Sequence, residues 1–341
     1  VRRLLMLSLV FAGFGSLLAA CGNNAAMTEK YQKYLQRQAA AQSGLGKHFD
    51  GVDDKARIAY VAIADGQAQI FTIQPDGTQP LQITRDPGYK CKPAWSVDHK
   101  HLAYFQFKSD RPMGDTVSVV ILDSQGNTRE MLSDKRVDLS MARINWKPDG
   151  SVLYFLEKDF PTALTGYDTT TGAPVETLRL PKSKFMNRIL SVSHSMKILA
   201  GDGPTQPGNI NHLGVIATDG KGEFDMVAPF VKGEMHYGPI TWSYDSQMVA
   251  FDFDKSVIVM SSSISMAFKV FPLAPQDFDA QLSSATFSPT GAQVACIMEK
   301  VKEGNVGSGD QEVTSDVWVM NVNGSQQKKI TNTGSCFDPA W

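Results

Sequence analysis

The chain has 341 residues, with 33 Lys and Arg against 35 Asp and Glu, a formal net charge of -2 and 42% hydrophobic residues. That is enough apolar material for a full core, and the near balance of charge excludes the basic footprint that DNA or RNA binding requires. Length alone would allow two domains, but regular repetition along most of the chain points to one large all-β body.

In chain order, residues 1–20 read as a secretory signal. Arg2 and Arg3 make a positive n-region, and Leu4 to Leu18 is apolar or small throughout. This run is shorter than the roughly 20 residues of a membrane span, which argues against the alternative of a transmembrane anchor. Leu18-Ala19-Ala20-Cys21 then resembles the bacterial lipobox. The resemblance implies cleavage before Cys21 and acylation of that cysteine, and two or more acyl chains anchor stably. Gly22 in place of an aspartate implies outer-membrane sorting where a cell has two membranes. Residues 21–55 form a tether rich in Ala, Gln, Asn, Lys and Gly. Met27, Tyr31, Tyr34 and Leu35 stand at helical spacing within it, compatible with one short helix or with a disordered spacer.

From residue 56 to residue 341 the pattern becomes short alternating strands separated by Asp-Gly, Asn-Gly and Pro-Asp turns. One phrase recurs: Pro93-Ala94-Trp95-Ser96-Val97-Asp98, Ile144-Asn145-Trp146-Lys147-Pro148-Asp149-Gly150, Ile240-Thr241-Trp242-Ser243-Tyr244-Asp245 and Ala285-Thr286-Phe287-Ser288-Pro289-Thr290-Gly291. A weaker copy runs from Leu190 to Ser195, and a shortened one ends at Pro339-Ala340-Trp341. A strand follows each complete phrase, then a strand ending in an Asp-Gly-like turn, then a third that often closes on Thr or Ser, as in Leu81-Gln82-Ile83-Thr84 and Lys329-Ile330-Thr331. Four strands in roughly 45 to 55 residues is the period of a propeller blade.

These residues resemble the TolB-like propeller repeat, whose phrase is proline, any residue, tryptophan, serine, proline, aspartate, glycine. The resemblance covers nearly all of residues 56–341, and its six copies imply a six-bladed β-propeller. It also implies an envelope partner, since in that family the propeller face receives a peptidoglycan-associated lipoprotein. The family's namesake has an α/β domain ahead of its propeller and no lipid, whereas here a short tether precedes the repeats. Ile58-Ala59-Tyr60-Val61 has no phrase before it, so residues 337–341 are expected to supply the innermost strand of that first blade and to close the ring.

Cys91 lies four residues before Trp95 and Cys336 five before Trp341, nearly equivalent positions of what closure makes adjacent blades. In an oxidising compartment a disulfide between them is expected, with two free thiols as the alternative; Cys296, in a strand, reads as a buried small hydrophobe. The common nucleophile-elbow, zinc-protease, haem and phosphate-loop motifs are absent from the sequence, so neither enzyme activity, cofactor nor metal is expected. His99 with His101, and Asp252 with Asp254, are too few ligands for a closed metal site and read as polar turn and solvated strand face. Asp310, Glu312 and Asp316 fall in a Gly-rich excursion read as a hairpin tip. The phrase tryptophans and Phe287 read as wedges between blades.

Binding is then the expected role. A propeller gathers its loops around one axial mouth, and those leading into the innermost strands carry Arg85, Tyr89, Lys90 and Lys92, Arg188, His236 and Tyr237, and Phe337 and Asp338. Arginine and aromatic residues are enriched at protein-binding hot spots, so the partner expected at this mouth is an envelope protein or peptide. A lactonase-like enzyme with a channel metal and a structural subunit of a surface assembly are the competing roles.

Overall fold

The computed structural model describes residues 56–341 apart from short internal stretches, the longest being 204–212, 226–239, 262–269, 274–279 and 303–311. The signal segment, Cys21, the tether, His236 and Tyr237 lie outside the described residues.

The described strands form six antiparallel sheets of four, arranged as the blades of a closed β-propeller, the architecture expected from the repeats. Blade 1 combines Ile58–Ala64, Gln67–Ile73 and Leu81–Gln82 with an innermost strand, Cys336–Ala340, from the far end of the repeats. The innermost strands of blades 2 to 6 are Lys90–Trp95, Asn145–Trp146, Arg188–Val192, Thr241–Trp242 and Ala280–Phe287. Outer strands such as Pro174–Arg179 and Lys328–Lys329 are largely exposed, whereas the second strand of blade 3, Val152–Leu156, is buried throughout.

The recurring phrase works through three residue types. Ser96, Ser193, Ser243 and Ser288 are fully buried, and each hydroxyl accepts the amide five residues on: His101 at 3.0 Å, Ile198 at 3.1 Å, Met248 at 2.9 Å and Gln293 at 3.1 Å. The aspartate two residues after the serine accepts the hydroxyl proton, at 2.7 Å for Asp98 and 2.6 Å for Asp245. A tight turn thereby enters the core with its polar groups satisfied. Thr84 does the same at the third strand, accepting Ile70 N–H at 2.9 Å and donating to Gln69 Oε1 at 2.6 Å, and Thr331 repeats it with Val317 and Asp316.

The aromatic residue of the phrase packs against the preceding blade. Trp146 lies in the apolar cluster shared by blades 2 and 3, Phe287 in that of blades 5 and 6, and Trp341 in that of blades 6 and 1. In blade 4 the aromatic is replaced by Val192, and there the cluster runs on through blades 3, 4 and 5. The innermost strands are also tied to one another round the whole ring. Asp338 accepts from Lys92, Trp146 Nε1 donates to Ala94 O at 2.9 Å, and Ser191 Oγ donates to Asn145 Oδ1 at 2.8 Å. Trp242 Nε1 donates to Ser191 Oγ at 3.0 Å, Thr241 Oγ1 to Ala285 O at 2.9 Å, and Trp341 N–H to Thr286 Oγ1 at 3.4 Å.

The expected disulfide is not formed: Cys91, Cys296 and Cys336 are buried free thiols. Its failure has a geometric cause. Both innermost strands carry a one-residue bulge, between Cys91 and Ala94 in blade 2 and between Phe337 and Ala340 in blade 1. Each bulge inverts the side-chain alternation once, equally in both strands, so the spacings of four and five residues from the tryptophan, one even and one odd, place the two cysteines on opposite faces of their sheets. Cys91 consequently packs between blades 2 and 3, and Cys336 between blades 6 and 1, where it meets Thr331 and Thr333. The hairpin-tip reading of Asp316 is also overturned, because the strand Glu312–Asn321 extends past it. The carboxylate is buried, pairs with Lys329 at 2.7 Å and accepts from Thr331 and Gly334. Glu312 opens that strand, and Asp310 lies outside the described residues.

Deleting residues 337–341 should lower the melting temperature by roughly 10 °C or more, because it strips a strand from blade 1 and removes a buried Trp worth about 3–5 kcal/mol. A melting temperature within 2 °C of the full chain's would contradict closure through these residues. Trp146→Ala should cost about 3–5 kcal/mol by denaturant titration, as expected for a wedge.

Candidate axial binding site

The position three residues before the phrase aromatic carries polar groups in four of the blades. It holds Asp338 in blade 1, Lys92 in blade 2, Arg143 in blade 3 and Ser284 in blade 6. At three of these the backbone is left-handed, with φ 48° at Asp338, 52° at Lys92 and 54° at Ser284, the signature of the bulges. Non-glycine residues in that region carry strain, which concentrates at functional sites.

Lys92 and Asp338 are bound to each other twice: Lys92 Nζ to Oδ1 at 2.7 Å and Lys92 N–H to Oδ2 at 3.1 Å. Burial pushes the Asp338 carboxyl up, but the charges of Lys92 and Arg143 with the Lys92 hydrogen bonds outweigh it and hold the group below the usual carboxylate range. In blade 4, Arg188 grips Asp202 side-on, Nε to Oδ1 at 2.8 Å and Nη2 to Oδ2 at 2.5 Å. In blade 5, Asp252 reaches the innermost strand of blade 6, where its Oδ1 accepts Ser284 N–H at 2.7 Å. Burial there lifts its carboxyl from the ordinary 3.8 to about 6, against that hydrogen bond and the charge of Arg143. Asp252 thus stands in the axial cluster and not on a solvated strand face.

Beyond this ring, towards the phrase aromatics, the innermost strands of all six blades line a partly open cavity of about 80 Å³. An aromatic stack crosses the axis at that end. Trp95 lies on His99 with ring centres 5.4 Å apart, His99 on Tyr244 at 6.0 Å, and Tyr244 on His194 at 4.8 Å. Tyr244 Oη donates to Trp341 O at 2.8 Å, so the contact between Tyr244 Oη and His99 Nε2, also 2.8 Å, has the imidazole as donor. His99 therefore joins blade 2 to blade 5 across the ring, a role beyond that of a polar turn residue.

The other end of the axis is the mouth. Arg85 is exposed there. Tyr89 and Phe337, from adjacent blades, stack with centres 5.9 Å apart and remain part-exposed, while Tyr89 also meets the edge of Phe107. Three residues expected to face a partner are engaged inside the protein. Lys90 is fully buried, its ammonium holding the carbonyls of Asp86, Pro87 and Gly88 and the Asp86 carboxylate. Lys92, half-buried, and Asp338, buried, form the ion pair described above, because the bulge turns both inward. Arg188 keeps 31% of its side chain exposed beside its pairs with Asp202 and Asp138. Sequence reasoning missed Arg143 and Asp202, and placed Asp252 on a solvated face. The first was visible in repeat register, since Lys92-Pro-Ala-Trp, Arg143-Ile-Asn-Trp and Asp338-Pro-Ala-Trp align.

No family model matches the chain. Among curated proteins it is 36% identical over 58 residues to the Tol-Pal system protein TolB of Desulfosudis oleivorans, and 42% identical over 53 residues to dipeptidyl-peptidase 5 of Porphyromonas endodontalis. These matches span 17% and 16% of this chain but only 13% and 8% of those relatives' own lengths. Among solved structures it is similar to TolB from Acinetobacter baumannii, with TM-score 0.51, 19% identity and coverage of 86% of this chain and 68% of that one. The putative TolB from Agrobacterium tumefaciens gives TM-score 0.50 and 15% identity over 82% of this chain and 90% of that one. The propeller domain of the Trilobed protease from Pyrococcus furiosus gives TM-score 0.50 and 12% identity over 82% and 96%. The fold is that of the TolB-like propellers.

Burial lowers both His99 and His194 from their ordinary 6.5 to about 4. Between pH 6.5 and 4 the unfolded chain binds two protons that the folded chain does not, so stability should fall across that window. Asp252 acts oppositely: from about pH 6 down to 3.8 the folded chain keeps a proton that the unfolded chain has released, which adds stability. The double variant His99→Asn, His194→Asn should remove the two losses, so its melting temperature should hold level or rise on acidification from pH 6.5 to 4.5 while that of the parent falls. Parallel profiles would contradict the burial of the two imidazoles.

Proposed function

We propose that the chain is a lipid-anchored protein of the bacterial cell envelope, held at the periplasmic side of the outer membrane. Its propeller binds an extended segment of another protein at the axial mouth, as a binding or scaffolding module and not as an enzyme. The observation that carries this reading is the part-exposed Tyr89–Phe337 stack, contributed by two blades at the end of the axis where Arg85 and Arg188 keep solvent exposure. Aromatic and arginine side chains are the residues that dominate protein-binding energy, and here they are held by a rigid ring. The match to a Tol-Pal system protein supports an envelope protein as the partner. The lipobox-like Leu18-Ala19-Ala20-Cys21 supports the anchor.

Two experiments test this reading. Palmitate labelling in the native host should mark the protein and be lost in Cys21→Ser; an unlabelled native protein would contradict the anchor. A photo-reactive residue at position 85 should cross-link an envelope protein in whole cells. Affinity for that partner should fall about tenfold or more in Arg85→Ala and Tyr89→Ser while melting changes by less than 4 °C. Undiminished affinity in both variants would refute the mouth as the site.

A further inference from the structure

Four buried side-chain N–H groups among the described residues have no hydrogen-bond partner: Arg143 Nε, Arg143 Nη2, Trp95 Nε1 and Trp341 Nε1. All four belong to residues that line the axial cavity, and all four are donors. Arg143 is only 8% exposed and makes no ion pair among the described residues, although Asp338 and Asp252 are near enough for their charges to act on it. A buried guanidinium with unmet donors costs several kcal/mol unless something accepts from it.

The identity of the two unmet guanidinium atoms narrows what that acceptor is. Nε and Nη2 form the side-on fork that receives the two oxygens of a carboxylate. This chain shows the same fork filled in Arg188, whose Nε and Nη2 hold Asp202 Oδ1 and Oδ2. Arg143 also differs from its neighbours in pairing. Lys92 is paired with Asp338, whereas Arg143 has no ion pair among the described residues: Asp338 and Asp252 act on it only through their charges, and Asp252 bonds to Ser284 N–H instead. The cavity, about 80 Å³, takes a carboxylate with its first carbons, since a single water needs only about 10–15 Å³ by the same kind of measure.

We propose that Arg143 makes the axial cavity a binding site for a carboxylate, received bidentately by Nε and Nη2 with the indole N–H groups of Trp95 and Trp341 supplying the remaining donors on the cavity wall. The site stands apart from the mouth surface and does not depend on a partner binding there. The carboxylate can come from a small free acid or from a peptide terminus.

The test is performed on the full chain at pH 7. Isothermal titration and thermal melting with acetate, against chloride at equal ionic strength, read the free acid; Gly-Gly-Gly and its C-terminal amide read the peptide. With acetate as ligand, 100 mM should raise the melting temperature by about 2 °C or more, and the shift should vanish in Arg143→Met and Arg143→Lys. With a peptide terminus as ligand, Gly-Gly-Gly should bind the parent at least tenfold more tightly than its amide, and Arg143→Met should erase the difference. If neither probe binds the parent the proposal is overturned, and an Arg143→Met variant that melts higher than the parent in every salt would mark the fork as an unfilled cost. Should a variant fail to fold, the acetate-against-chloride and acid-against-amide comparisons on the parent alone decide between the same outcomes.

Discussion

The structure depends on one pairing: Cys336–Ala340 laid antiparallel on Ile58–Ala64, residues nearly 280 positions apart, as in Ala59 opposite Ala340 and Ala62 opposite Cys336. Blade 1 has an innermost strand only because of it. Each of the other blades is built from consecutive chain and could form from local contacts, but a six-blade ring defines an axis only when the last gap is filled. The same few residues then supply Asp338 to the axial charge cluster, Phe337 to the mouth, and Trp341 both as a wedge and as the acceptor for Tyr244. Closure and site are therefore one event, and the free energy that closes the ring also orders the groups around its axis.

Buried charge is costly, and this propeller gathers it on the axis and not at random. Two of the axial cations are neutralised internally, Lys92 by Asp338 and Arg188 by Asp202, with distances of 2.7 Å and 2.5 Å. Those pairs lock neighbouring strands: Lys92 and Asp338 join blades 2 and 1, and Arg188 and Asp202 join two strands of blade 4. Arg143 departs from the pattern. A core selected for stability alone would have filled that position with an apolar residue, as Ile189 does at the equivalent place in blade 4.

The blade count, the closing strand and the wedge role of the tryptophans were legible in the sequence because each rests on periodicity: one phrase, repeated, with one copy missing at the front and one cut short at the back. What was not legible depends on a single extra residue. The bulges in blades 1 and 2 shift the alternation by one and turn Lys92 and Asp338 from mouth residues into an ion pair on the inner strands. Nothing in Cys91-Lys92-Pro93-Ala94 announces that Lys92 takes a left-handed backbone. Lys90 misled for a related reason, since a lysine before a strand reads as solvated, whereas here three loop carbonyls surround its ammonium. Tyr89 and Phe337 were visible as aromatic residues in equivalent loops; their stacking needed the ring.

Amide hydrogen exchange resolved along blade 1 tests the central claim directly, that the ring is closed by this pairing and the axial groups are ordered by it. Amides of Cys336–Ala340 that are bonded to the neighbouring strand should exchange only with global unfolding, at the same free energy as those of Ile58–Val61, and protection of the Lys92 amide should belong to the same unit. Exchange of 336–340 within seconds at neutral pH, while Ile58–Val61 and the inner strands of the other blades stay protected, would contradict it.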